Sequence, residues 1–174
     1  MMHGQDRLTK ALALTAFAAP TAFAAMGPAF STGPVADNSF IRTTNATLVL
    51  PKAPSNNNGD ASLWVGMGTS NGDLIQSIAD NWNSDDWSVY AYTLLSTSDT
   101  TQMPVQDDPT TAYADDHVNF VYEYDDSTKN YTQTVSVNGK QVSTLSTSDG
   151  HAQGFGSAIE CARENCGTMP AHSK

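Results

Sequence analysis

The chain has 174 residues, the length of one domain. It carries 18 Asp and Glu against 8 Lys and Arg, a net charge of −10, and an excess of that sign disfavours binding to phosphate backbones. Beyond the amino-terminal stretch, no segment approaches the roughly 20 apolar residues that a membrane-spanning helix needs.

Arg7 and Lys10 precede an apolar run, "ALALTAFAAPTAFA", that ends in the small-x-small triplet Ala22-Phe23-Ala24. A positive n-region, a short h-region and such a site read as a secretory signal over residues 1–24, so the mature chain is expected to be secreted and extracellular. Residues 25–40, rich in Gly, Pro and Ser, read as a flexible leader, and residues 41–174 as the folded domain. "NATLVLP" opens a series of short strand-like runs. In "SLWVGMG", Leu63, Val65 and Met67 alternate onto one face and Trp64 onto the other. "LIQSIADNW" follows the turn residues Asn71-Gly72-Asp73, and "WSVYAYTLL" is aromatic and β-branched. In "HVNFVYEYD", Val118, Phe120, Tyr122 and Tyr124 share a face. Asn138-Gly139 separates two alternating runs, the preferred type I′ hairpin pair, which predicts a three-strand meander. "GFGSAIECAREN" is a further apolar run. Regular short runs with little helical period predict an all-β, antiparallel sandwich. Cys161 and Cys166, five positions apart, read as a local disulfide in an oxidising compartment, the other reading being two free thiols. Asn45 and Asn130 head Asn-x-Thr sequons and are candidate glycosylation sites.

No His or Cys spacing suits a metal site, and no nucleotide-binding or G-x-S-x-G motif occurs; no metal, cofactor or nucleic acid is expected. Gln76, between Ile75 and Ile78, needs a partner for its amide wherever it is buried. The bland reading has it facing solvent or bonded to a neighbouring strand.

The string "SLWVGMG…LIQS" resembles the first motif of the glutamic peptidases, or eqolisins, a family of secreted fungal acid proteases on a concanavalin A-like (jelly-roll) β-sandwich. Ser62, Trp64, Val65 and Gly66 match S-x-W-V-G-I, and Leu74-Ile75-Gln76 falls on the segment that carries the family's catalytic glutamine. "SAIECARE" is similar to the family's N-A-E-W-I-V-E segment, which puts the catalytic glutamate at Glu160, with Glu164 the second choice. Gly68 stands where the family has an acid, and Cys161 where it has a tryptophan. Family members also continue with further strands, so the expectation is a truncated product or a sandwich that closes differently.

The resemblance implies a secreted acid endopeptidase, active or inactive. Glu160 would be the general base for a water that attacks the peptide carbonyl, and Gln76 would donate to the resulting oxyanion. Trp64 would line the substrate cleft or fill a sheet core. The alternative function is a non-catalytic sandwich that binds carbohydrate or another surface ligand. A polypeptide or a carbohydrate is thus the expected partner, and a monomer the expected state.

Overall fold

The computed structural model describes residues 25–163 and 165–172. The expected signal segment and Glu164 lie outside the described residues. Eleven strands are present among those described: β1 (Ala25–Ser31), β2 (Thr43–Val49), β3 (Asp60–Thr69), β4 (Leu74–Trp82), β5 (Trp87–Ser98), β6 (Thr101–Gln106), β7 (Thr110–Ala112), β8 (His117–Tyr124), β9 (Tyr131–Val137), β10 (Lys140–Thr147) and β11 (Ala152–Cys161). They form two antiparallel sheets, a sandwich of the predicted class. The larger runs β1-β11-β3-β4-β5-β6, with β7 also on β5, and the smaller runs β10-β9-β8-β2.

The predicted alternation sets the faces. Leu63, Val65 and Met67 of β3, Ile75 and Ala79 of β4, and Trp87, Val89 and Ala91 of β5 point inward. They meet Leu48, Val118, Phe120, Tyr122, Tyr131 and Val135 of the smaller sheet in one core. The meander β8-β9-β10 forms as expected. Asn138 and Gly139 have φ of 51° and 81°, the left-handed values that a type I′ turn requires. Cys161 and Cys166 are disulfide-bonded, with Cα atoms 5.7 Å apart; the bridge pins the end of β11.

The amino-terminal segment departs from the expected leader. Residues 25–31 form β1, paired with β11 from Ala25↔Cys161 to Ser31↔Gly156. All seven residues are exposed, so the strand is held by its backbone rather than by an apolar face. That is why no hydrophobic alternation announces it. Its register shifts between Met26 and Ala29, where Gly27 and Pro28 interrupt the ladder.

Two side chains of the smaller sheet are bonded into the larger one. The Tyr122 hydroxyl donates to Val65 O at 2.6 Å and accepts from Ser77 N–H at 2.9 Å. Val65 and Ser77 are register partners on β3 and β4. Gln133, fully buried, accepts from Ser77 Oγ at 2.9 Å and donates to Tyr92 O at 3.0 Å and Thr93 Oγ1 at 2.7 Å. Removing such a hydroxyl orphans a buried amide and a buried carbonyl together. Tyr122→Phe is therefore expected to lower stability by about 1–3 kcal/mol. Urea unfolding should show a lower midpoint at an unchanged slope.

Candidate functional site

Residues of the larger sheet that point away from the core form a grid on its outer face. One row holds Gly156, Gly66, Gln76 and Tyr92; the next Ala158, Trp64, Ile78 and Tyr90; the next Glu160, Ser62, Asp80 and Ser88. Asp60 and Trp82 pair beyond them. Trp64, Ile78 and Ala158 pack as a second apolar cluster, flanked by Tyr90 and Tyr92. The face is therefore an apolar band with an amide at one end and three carboxyl groups at the other.

Gln76 is 4% exposed, so it does not face open solvent. Its immediate partners in the row are Gly66 and Tyr92. Among the described residues no side-chain hydrogen bond reaches its amide, and the head is not one of the fully enclosed polar atoms left without a partner. Gly66 is required beside it, because a Cβ there would lie 2.7 Å from Ile75 O. Next to this row is a hollow of about 50 Å³, lined by Trp64, Gly66, Gly68, Leu74, Gly154 and Gly156 and walled by Gly33 and Pro34.

Glu160 shares the outer face with Gln76, but the register keeps them apart. Glu160 pairs with Ser62, four residues along β3 from the Gly66 that pairs with Gln76. At strand spacing this is about 13 Å along the strands and about 10 Å across two of them. The β11 residue in Gln76's own row is Gly156. One Glu160 oxygen accepts from Trp64 Nε1 at 2.9 Å. Trp64, itself 4% exposed, thus fills the outer cluster, borders the hollow and holds Glu160.

Two acids not singled out from the sequence join Glu160. Asp80 accepts from Ser62 Oγ at 2.9 Å. Asp60 lies against it, with one buried carboxyl oxygen that has no partner among the described residues. Burial, then the hydrogen bond and charge of Asp80, push the Asp60 carboxyl up to about 8, with Arg163 opposing. Burial also raises Glu160, against the Trp64 hydrogen bond. The Tyr92 phenol is pushed up to about 12 by burial and then by Glu160. Alternation could have found these residues, since Asp80 is four positions from Gln76 and Asp60 four from Trp64. The described residues contain no group of three His, Cys, Asp or Glu placed to hold a metal ion.

The sequon asparagines lie away from this face. Asn45 is exposed on β2 and accepts from Asn119 Nδ2 at 2.7 Å. Asn130 is half-buried and donates to Ser146 Oγ at 3.3 Å.

Scytalido-glutamic peptidase bound to a peptide-based transition-state analog is 18% identical, with a TM-score of 0.53 over 78% of this chain and 69% of that one. The same peptidase with a transition-state analog inhibitor is 16% identical, at 0.54 over 88% and 75%. SCP-B, a member of the Eqolisin family in complex with the tripeptide Ala-Ile-His, is 16% identical, at 0.52 over 88% and 74%. The fold is similar to that of the glutamic peptidases. At these identities the likeness is one of fold. No protein-family profile matches the chain. No curated protein matches it in sequence.

Gln76→Leu keeps the size of the side chain and removes the amide. It is expected not to lower stability, read as a melting temperature at or above that of the wild type. The raised acids also fix the sign of a pH effect. Asp60 rises to about 8 and Asp149, buried at the end of the sandwich, to about 6, so the folded state binds protons more tightly than the unfolded chain. Their contribution is complete below the ordinary carboxylate range near 4 and is lost as pH rises through about 6 and about 8. Asp107, lowered by bonds from Thr144 N–H and Ser143 Oγ, opposes this only below that range. Melting curves should place maximal stability near pH 4, with a lower melting temperature at pH 8; a maximum at neutral pH would contradict these environments.

Proposed function

We propose that the chain is a secreted, ligand-binding β-sandwich that takes carbohydrate on the outer face of its larger sheet. In this reading the glutamic-peptidase fold is kept without the amide–carboxylate dyad. The observation that carries it is Gly156 in the row of Gln76. A base that shares one water with the amide must stand within hydrogen-bond reach of it, and that position has no side chain. What surrounds Gln76 suits binding. Tyr90 and Tyr92 are half-buried, with ring centroids 6.1 Å apart, and Trp82 is 51% exposed at the end of the same face, with Arg163 over one side of its ring at 4.5 Å. Sugar rings pack on such aromatic faces. The Asp80, Glu160 and Gln76 heads offer the few placed polar groups that orient a ligand. The Glu160 carboxyl, raised by burial, can when protonated both donate to and accept from hydroxyls.

A second reading is hydrolysis of peptide bonds in acid, with Glu160 as base and Gln76 as oxyanion donor, the latter worth about 3 kcal/mol if preorganised. It is favoured by the buried amide and by the shared face. It requires the strands to shift so that the two heads meet.

One experiment separates the two. Purified mature protein is tested at pH 4 for retention on insoluble polysaccharides and for cleavage of a denatured protein. Retention that falls at least about tenfold in Tyr90→Ala and Tyr92→Ala, without cleavage, is the expected result. Cleavage by the wild type that is lost in both Gln76→Ala and Glu160→Gln would establish the second reading instead.

A further inference from the structure

The amino-terminal strand shows how the edge of β11 is built. Residues 25–35 follow β11 over its length. Beyond the β1 ladder, Thr32 N–H donates to Phe155 O at 2.9 Å and Val35 N–H to Gln153 O at 2.8 Å. Phe155 N–H donates to Thr32 Oγ1 at 3.2 Å. The approach is unusually close at two points. A Cβ on Gly156 would lie 2.8 Å from Phe30 O, and one on Gly154 would lie 3.1 Å from Gly33 O. A side chain at Gly156 would collide with the Phe30 carbonyl, and one at Gly154 would press the Gly33 carbonyl back by a few tenths of an ångström. The segment brings no side chain to the core. Every residue of β1 is exposed, Phe30 by 61% and Met26 by 42%. Within it Gly33 turns at φ 73°, and Asn38 at φ 61° follows it toward the domain.

We propose that the β11 edge, with its Gly154 and Gly156 track, is a docking site for an extended polypeptide, and that residues 25–35 are its resident, exchangeable occupant. The site reads backbone: its contacts are ladder hydrogen bonds and glycine-permitted carbonyl approaches, as in strand addition to a sheet edge. An occupant that brings no side chain to the core is replaceable by another segment without cost to the core. An incoming strand lies beside the hollow and the row of Gln76. This inference does not rest on the carbohydrate reading, whose aromatic band lies on the other side of Trp64.

The test uses the full mature chain with a protease site inserted between Asp37 and Asn38. A fluorescent peptide with the sequence of residues 25–35 is offered before and after the cut. Exchange into the cut protein at least about tenfold beyond the intact protein is expected. An unrelated extended peptide of equal length should compete, and one with proline at alternate positions should not. In the intact chain, Gly156→Val should release the segment, read as at least about tenfold faster hydrogen exchange of the Thr32 and Val35 amides with the β9–β10 amides unchanged. Absence of exchange after the cut, competition by the residue 25–35 sequence alone, or unaltered protection in Gly156→Val would each overturn the proposal.

Discussion

A single phenol sets the geometry of the outer face from the core side. Tyr122 reaches across the sandwich and joins the carbonyl of Val65 to the amide of Ser77, and each of these is the chain neighbour of a residue in the Gln76 row. Gln133 does the same one strand further on, tying Ser77, Tyr92 and Thr93 together. Buried polar groups of this kind are stabilising only when every member is satisfied, and each of these is matched to a partner at one register. A slip of one residue in β4 would leave the phenol and the amide without partners. It would also carry Gln76 into the core. The register of β4, and with it the direction in which Gln76 points, is thus held by side chains that never touch the outer face.

The outer face is built in the opposite sense. It holds Asp60, with an enclosed oxygen that has no partner among the described residues, and Gln76, whose amide no described side chain bonds. A sandwich selected for stability alone would place apolar residues there, as it does at Ile78 and Ala158. The cost falls in acid, where carboxyl groups raised by burial lose their charge. Desolvation of Asp60, Glu160 and Asp149 raises all three, so acidification removes buried charge. The same change relieves the repulsion of a chain with a net charge of −10.

Much of this was legible in the sequence wherever period and turn chemistry are local. Asn138-Gly139 announced its hairpin, and the alternation in β3 put Trp64 on the face opposite Leu63 and Val65. The same alternation, applied from Gln76 to Asp80, identifies most of the outer face. Strands β1, β6 and β7 left no such trace, because they sit at the rim of the sheet and bury little. β6 carries Pro104 and exposed Met103, and β1 buries nothing. The relation between Gln76 and Glu160 was out of reach for a different reason. It depends on how β11 registers against β3, a pairing of residues almost a hundred positions apart. That pairing sets Glu160 four residues along the strands from the Gln76 row.

Gly156 joins two properties that look separate. Its missing side chain leaves the Gln76 row without an acid, and the same absence lets Phe30 O come within 2.8 Å of where a Cβ would stand. A carboxylate at that position and the amino-terminal strand in its present place exclude one another sterically. A row able to pair an acid with Gln76 would need residues 25–31 to lie elsewhere, whereas the row found here gives that space to backbone. The glycine costs strand stability through its greater unfolded-state entropy, and it is offset only by what it allows to approach. What approaches is the chain's own amino-terminal strand, so the position that leaves the Gln76 row without a side chain on β11 is also the one that gives the edge of β11 an occupant.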